Sequence, residues 1–191
     1  MATTSETNKR QRVPASERRD ALTEAAVHEF ARRGLHGTPV DRIARRVGVA
    51  QPYVFALFGS KRALFLAAVE RGFDLIADMF TAVAERYDPA TSPEPDLLKA
   101  IGSAYVDLLK ENRDYLMLQH QSYAACDDPV IRDRVRELYA GLIRHAQKLS
   151  GADAERLDEF FRYGMWLNVA AAMGVEDLSA ACGWVQAGFD N

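Results

Sequence analysis

Apolar side chains recur every three to four positions along most of the chain, which is the spacing of one face of an α-helix. The first such run covers residues 16–33, where Leu22, Ala25, Ala26 and Phe30 fall on one face. Runs of alternating apolar and polar residues, the pattern of a half-buried strand, are few. The pattern therefore predicts an all-α protein.

Two helix breakers interrupt this pattern within residues 40–58. Gly48 can adopt the positive φ of a sharp helix end, and Pro52 is tolerated in the first turn of a helix. We therefore expect one helix over about Pro39 to Val47 and a second over about Pro52 to Phe58. Two helices joined by a short turn form a helix-turn-helix, whose second helix enters the DNA major groove in its known uses. The apolar residues expected between the two helices are Ile43, Ala44, Val47, Val49, Val54 and Phe58.

Capping residues mark several of the helix ends. Ser16 and Ser60 have the side-chain oxygen of an N-cap, and Gly34 can take the left-handed position that ends the first helix. Thr38, with Asp41 three residues later, has the spacing of a capping box at the start of the second helix.

The remainder of the chain is also helical in pattern. Its only Pro-rich stretch, residues 88–96, marks a loop. The helices expected after the helix-turn-helix cover about residues 61–87, 95–111, 113–124, 128–149, 153–173 and 176–188. Residues 1–15 are polar, with Lys9, Arg10 and Arg12 close together, and we expect a disordered basic arm there.

Charge is distributed unevenly along the chain, whose overall charge is −3. Residues 1–62 hold 12 Lys and Arg against 6 Asp and Glu, whereas residues 63–191 hold 12 against 21. A basic segment ahead of an acidic one favours contact of the first segment with a polyanion. A chance division of solvated surface charge gives the same counts.

Cysteine usage and hydropathy favour a cytoplasmic protein. Cys126 and Cys182 are too few for a disulfide framework and are expected to be reduced thiols, with a single disulfide as the alternative. The N-terminal residues lack the apolar core of a signal peptide. No run of about 18 apolar residues is present, so we expect no membrane segment.

Motifs for catalysis are missing from the sequence. His28, His36, His120 and His145 show no pairing at metal-ligand spacing, and no glycine-rich phosphate loop is present. His120 and Cys126 have no oxyanion-hole motif near them. We therefore expect no enzyme, no metal and no other cofactor.

The run GTPVDRIARRVGVAQPYVFALFGSKRALF, residues 37–65, resembles the signature of the tetracycline-repressor (TetR) family of bacterial transcription regulators. With the first helix, the resemblance covers about the first 70 residues. Tyr53, Phe55 and Leu57 depart from the residues that many members carry, so the DNA target cannot be inferred from relatives. The matching positions are Thr38, Ile43, Ala44, Gly48, Val49, Gln51, Pro52, Phe55, Phe58, Ser60, Lys61, Leu64 and Phe65.

The resemblance implies a DNA-binding domain over residues 16–62 and a helical effector-binding and dimerisation domain over residues 63–191. It implies a homodimeric, sequence-specific transcriptional repressor that binds a palindromic double-stranded operator and is released by a small-molecule effector. A DNA-binding dimer without an effector, or an activator, is the alternative.

Residues that can contact DNA lie on both helices of the motif. Gln51 carries an amide suited to adenine, and Pro52 and Ala56 can contact a thymine methyl group. Tyr53 and Phe55 either face DNA or pack against the first helix. Lys61 resembles the phosphate-binding lysine of the family. Arg45 can reach a phosphate or pair with Asp41. The predicted DNA contacts are Thr38, Arg42, Gln51, Pro52, Tyr53, Phe55, Ala56 and Lys61.

The family resemblance also implies a cavity and a dimer interface in the C-terminal domain. Apolar residues with a few polar groups among them can line such a cavity, although the same residue types fill ordinary cores. The candidates are Met79, Tyr105, Met117, His120, Gln121, Tyr123, Phe161, Met165 and Trp166. The small residues Ala170 to Ala172 and Gly174 allow close helix approach, so we expect the last two helices to form the dimer interface; an internal core helix is the alternative.

Overall fold

The computed structural model describes residues 14–174, and all regular secondary structure in that range is α-helical. This confirms the all-α prediction. The helices are α1 (Ala15–Gly37), α2 (Val40–Val47), α3 (Gln51–Phe58), α4 (Lys61–Arg86), α5 (Leu97–Glu111), α6 (Arg113–Ala124), α7 (Pro129–Ser150) and α8 (Ala154–Ala172). The predicted arm, up to residue 13, and the predicted helix over residues 176–188 lie outside the described residues.

The helix-turn-helix forms as its glycine and apolar residues predict. Gly48 ends α2 in the left-handed conformation, with φ 72° and ψ 34°, and its N–H bonds back to carbonyls of α2. Ile43, Ala44 and Val54 are fully buried between the helices, and Phe58 is nearly so. Val47 and Val49 pack partly exposed at the edge of this core.

Several predicted caps are wrong. The N-cap residue of α1 is Pro14, one residue before the helix begins at Ala15, so Ser16 already lies inside the helix. The N-cap residue of α2 is Pro39, which has no side-chain oxygen, and no capping box forms between Thr38 and Asp41. Ser60 is confirmed as a cap, because its Oγ accepts the N–H of Ala63 at 3.1 Å.

The first helix bends at Gly34 and continues for another turn. Gly34 has φ 65° and ψ −177°, so the positive φ is confirmed, but the helix ends at Gly37. The buried face of α1 packs on α4, where the rings of Phe30 and Phe65 meet edge to face at 5.0 Å.

Helix α4 lies at the centre of the fold and packs against α1, α3, α5, α6 and α7. The predicted domain boundary after residue 62 falls inside this helix, so the helix-turn-helix and the bundle share one continuous element. Helix α1 also packs along α6, where His28 Nδ1 lies 2.6 Å from Asp114 Oδ2 and the Tyr115 hydroxyl donates to Glu24. The Glu24 contact and burial raise the pKa of Tyr115 to about 12.

No single helix among residues 14–174 is both long and apolar enough to cross a bilayer; α3 and α4 meet that measure only when counted together across their 70° bend.

Candidate DNA-binding surface and ligand cavity

One face of α3 is exposed while the opposite face is anchored. Val54 and Phe58 are buried, whereas the side chains of Tyr53 and Phe55 are 39% and 38% exposed. Each of the two aromatic residues is therefore partly covered by the fold and partly available to a partner. The structure brings five predicted DNA contacts onto this face, namely Gln51, Pro52, Tyr53, Phe55 and Ala56.

Arg19 of α1 contacts the C-terminal end of α3. Its Nη1 donates to the carbonyl oxygen of Leu57 at 2.8 Å, and its guanidinium lies 4.3 Å from the centre of the Phe58 ring. A cation at a helix C-terminus and over an aromatic face is favourable on both counts. No sequence pattern predicts this contact, because the two partners are 38 positions apart.

A buried carboxylate organises the arginines of α2. Glu29 of α1 is 7% exposed in its side chain and accepts from Arg42 Nε at 3.1 Å, with Arg46 Nη1 at 3.7 Å. A charge buried to this degree requires compensation, which the two arginines supply. Periodicity alone could have located Glu29, because it lies on the buried face of α1 between Ala26 and Phe30.

The other predicted phosphate contacts also have partners in the protein. Arg45 pairs with Asp41 one turn earlier, which was one of its two predicted alternatives. Lys61 Nζ donates to the carbonyl oxygen of His36 at 3.2 Å, and partial burial lowers the Lys61 pKa. The helices that carry these two cations, α2 and α4, both pack against α3.

Thr38 is a correction to the predicted DNA contacts. Its side chain is fully buried, and its hydroxyl donates to the carbonyl oxygens of Gly34 at 2.8 Å and Glu29 at 3.1 Å. A threonine can donate only one hydrogen, so the two acceptors share it. Thr38 ties the end of α1 to the start of α2 and offers no side-chain atom to DNA.

A cavity of about 870 Å³ lies among α4, α5, α7 and α8, with one contribution from α6. Three of the predicted residues line this cavity, namely Tyr105, Phe161 and Trp166. Aromatic rings dominate the wall: Phe80, Phe160 and Phe161 form a chain of edge contacts at 6.0 and 5.2 Å. Such a volume and wall suit a drug-sized apolar molecule.

The other six predicted residues are not among those that line this cavity. Gln121 lies against Gly34 of α1, and His120 Nε2 lies 3.2 Å from the carbonyl oxygen of Asn168. The contribution of α6 to the cavity is Gln119, whose amide donates to the Tyr123 hydroxyl at 2.8 Å. The residues outside the lining are Met79, Met117, His120, Gln121, Tyr123 and Met165.

The predicted dimer face needs one correction within α8. Ala170 is fully buried in its own chain, so it cannot contact a second copy. The outward stripe of the helix is formed instead by Met165, Val169 and Met173, which are spaced four residues apart. The second predicted interface helix lies outside the described residues. Within residues 14–174, no group of three or more His, Cys, Asp or Glu side chains could hold a metal ion.

Known proteins resemble this chain over part of its length. The family model "Bacterial regulatory proteins, tetR family" matches residues 22–68. The HTH-type transcriptional activator FasR of Mycolicibacterium smegmatis is 30% identical over 127 residues, which are 65% of this chain and 55% of that protein. The HTH-type transcriptional regulator RutR of Escherichia coli K12 is 33% identical over 110 residues, 57% of this chain and 47% of that protein. The chain thus spans about half the length of the curated relatives it matches.

Solved structures share the whole fold at low identity. FadR from Bacillus subtilis, in complex with stearoyl-CoA, has a TM-score of 0.69 at 15% identity, covering 86% of this chain and 94% of that one. A TetR-like regulator from Rhodococcus sp. RHA1 has a TM-score of 0.58 at 24% identity, covering 91% and 93%.

A helix-turn-helix with an exposed second helix, joined to a helical bundle, defines a protein of the helix-turn-helix regulator class. The family model and the solved structures with the same fold indicate which group within that class this chain resembles. Residues 22–68 are similar to the TetR family of bacterial regulatory proteins, and the described fold is shared with a solved TetR-like regulator.

Proposed function

We propose that this protein is a sequence-specific DNA-binding transcriptional regulator that acts as a homodimeric repressor and is released by a small-molecule effector. The observation that carries the proposal is the exposed face of α3, where Tyr53 and Phe55 stand open although Val54 and Phe58 anchor the helix from behind. Exposed aromatic residues on a short anchored helix have no role in the core of the protein. The cytoplasmic location expected from the sequence belongs to the same proposal.

A dimer is part of the proposal because one short helix reads too few base pairs for selectivity. Two copies place two recognition helices on successive major-groove faces, about 34–36 Å apart or farther on a longer operator. The apolar stripe of Met165, Val169 and Met173 on α8 supports pairing through this helix, together with the segment that follows it.

The cavity favours an effector-responsive regulator over a constitutive one. A constitutive DNA-binding dimer needs only a packed C-terminal core, whereas this chain has a cavity of about 870 Å³ that is partly open to solvent. Among its structural neighbours, FadR was solved with stearoyl-CoA and the multidrug binding protein EbrR with imidazole. An effector acts by binding more tightly to the conformer whose recognition helices no longer match the groove spacing. Activation of transcription is the alternative to repression, because the relative FasR is a transcriptional activator.

The test begins with selection of target DNA. Full-length protein is incubated with a pool of random duplexes, and the enriched sequence is measured by fluorescence anisotropy over a series of salt concentrations. We expect an inverted repeat and a log–log salt slope of magnitude roughly five or more. A pool without enrichment would refute the proposal, as would affinity that does not respond to salt.

Two alanine variants distinguish the loss of a side chain that contacts DNA from the loss of an exposed side chain elsewhere. Tyr53→Ala removes a side chain from the exposed face of α3, and Val130→Ala removes an exposed side chain from α7. We expect the first to weaken binding to the selected operator by roughly 5- to 150-fold, the cost of one specific contact. The second is expected to leave affinity within about twofold of the parent, because α7 carries none of the predicted DNA contacts. Equal losses in both variants would remove α3 from the mechanism.

A further inference from the structure

The charged residues that line the cavity lie mostly at the protein surface, whereas its buried polar residues are uncharged. Six of the seven charged ones are exposed, and the seventh, Asp96, is half-buried and accepts from Arg156 at 2.6 Å. The buried polar lining residues are Tyr105 and Asn168, and both are uncharged. The charged lining residues are Asp96, Lys99, Asp107, Lys110, Arg156, Glu159 and Arg162.

The two buried polar residues form one hydrogen-bonded pair. The Tyr105 hydroxyl donates to Oδ1 of Asn168 at 2.6 Å, and Asn168 is only 2% exposed. Burial raises the pKa of Tyr105, so the phenol stays neutral throughout the range in which proteins are handled. After it donates its hydrogen, the phenol oxygen keeps lone pairs that can accept an N–H or O–H from a ligand.

The wall beside this pair is mainly apolar, although the half-buried Gln119 also lines it and lies within hydrogen-bonding reach of the Tyr105 phenol, which has a second lone pair for a ligand. Phe80, Phe160 and Leu167 line it together with further aromatic and aliphatic side chains. A charged group inserted to this depth would lose its hydration and find no buried counter-charge among the described residues, which is strongly unfavourable. A neutral hydrogen-bonding group would meet the phenol oxygen instead, at little desolvation cost.

We propose that the cavity binds an apolar, ring-containing molecule whose inserted end is an uncharged hydrogen-bond donor, such as a hydroxyl, amide or aryl amine. Any ionic group of the ligand stays at the rim, where side chains of both signs are exposed. This inference rests on the proposed function, because it assigns the chemistry of the effector cavity. Tyr105 is the residue that reads the inserted group.

The test uses two fluorescent probes that differ by one charge. N-phenyl-1-naphthylamine is neutral and carries an aryl N–H, and 1-anilinonaphthalene-8-sulfonate has the same rings with a sulfonate. Titrated into the full-length protein, the neutral probe is expected to bind about tenfold or more tightly than the anionic one. Equal or tighter binding of the anionic probe would overturn the proposal, and so would failure of the neutral probe to bind.

Two matched tyrosine variants place the neutral probe in the cavity. Tyr105→Phe removes the proposed acceptor and keeps the ring; we expect it to weaken binding of the neutral probe by about 3- to 10-fold. Tyr87→Phe is the control, since this half-buried phenol contacts the carbonyl oxygen of Glu94 and does not line the cavity. Melting temperatures of both variants show whether each is folded. Equal effects of the two substitutions on probe affinity would exclude Tyr105 as the reading residue.

Binding to the selected operator is measured on the same preparations without probe. If the protein binds its operator but binds the anionic probe at least as tightly as the neutral one, only the inference about the uncharged inserted group is refuted. Loss of operator binding by the parent protein would instead refute the proposed function.

Discussion

Among residues 14–174, several glycines have a positive φ. Of the alanine substitutions at these glycines, we expect Gly34→Ala to lower the stability of the fold most. Gly34 has φ 65° and ψ −177°, a backbone region that is essentially restricted to glycine. An added Cβ would also lie 2.5 Å from Oε1 of Gln121. Gly48, with φ 72° and ψ 34°, has an ordinary left-handed conformation and no atom within 4 Å of an added Cβ. Gly48→Ala is therefore the matched control.

The expected magnitudes follow from these two environments. Backbone strain at Gly34 costs about 1–3 kcal/mol. Displacement of the Gln121 amide from its rotamer adds about 1 kcal/mol, for a total near 3 kcal/mol. The control carries only left-handed strain, about 1–2 kcal/mol. For a chain of this length each kcal/mol lowers the melting temperature by about 2–4 °C, so we expect losses of roughly 9 °C and 4 °C.

Thermal unfolding followed by far-UV circular dichroism, at one protein concentration, measures both losses. A double variant then separates strain from contact. Gln121→Ala removes the side chain that an added Cβ at Gly34 would meet. In a protein that already carries Gln121→Ala, the further change Gly34→Ala should therefore cost about 1 kcal/mol less than it does in the parent. The cost that remains measures the backbone strain. Full recovery would show that φ at Gly34 is not a constraint. A loss for Gly34→Ala no larger than for Gly48→Ala would refute the reasoning.

Substitutions at three further positions test single contacts by unfolding. Ser60→Ala removes the cap that accepts the N–H of Ala63 and should cost about 1 kcal/mol, whereas Ser60→Asp should retain most of it. Thr38→Val keeps the shape but removes a buried hydroxyl, for an expected loss of about 1–3 kcal/mol; an unchanged melting temperature would deny the hydroxyl a structural role. The hydrogen bond from Arg62 holds the pKa of Asp128 below its usual 3.8, so the Asp128 carboxylate stabilises the fold above that pH and loses its effect as pH falls through the lower folded value. Asp128→Asn should therefore unfold with a shallower pH dependence below about pH 4 than the parent, and identical acid profiles would contradict this.

The features that sequence predicted correctly are those whose cause is local. Gly48 ends α2 because its own φ allows it, and Ser60 caps α4 because its oxygen reaches a neighbouring N–H. The exposed face of α3 follows from the spacing of Val54 and Phe58, since fixing two buried positions on a helix fixes the opposite face. These features depend on a few consecutive residues, which sequence shows directly.

The features that sequence missed depend on how helices meet. Which residues of α6 face the cavity is set by the rotation of that helix between α1 and α8. Gln119 lines the cavity, whereas Gln121, two residues later, contacts α1. Residue type cannot distinguish the two, because both are glutamines on the same helix. The contact of Arg19 with Leu57 likewise arises only once α1 and α3 are packed together.

The packed structure also changes what the sequence charge count implies for DNA binding. Arg45 and its partner Asp41 are both largely exposed, so solvent screens their attraction and Arg45 can leave Asp41 for a phosphate at little cost. Glu29 is buried, and a buried carboxylate left without a cation is strongly destabilising. Arg42 and Arg46 therefore cannot both abandon Glu29. At least one must keep that bond and reach a phosphate with its remaining N–H donors, of which a guanidinium has five. Arg45 is thus free to move to a phosphate, whereas the buried carboxylate keeps at least one of Arg42 and Arg46 in place. The proposed DNA contact of α2 therefore depends on the orientation of these arginines as well as on their charge.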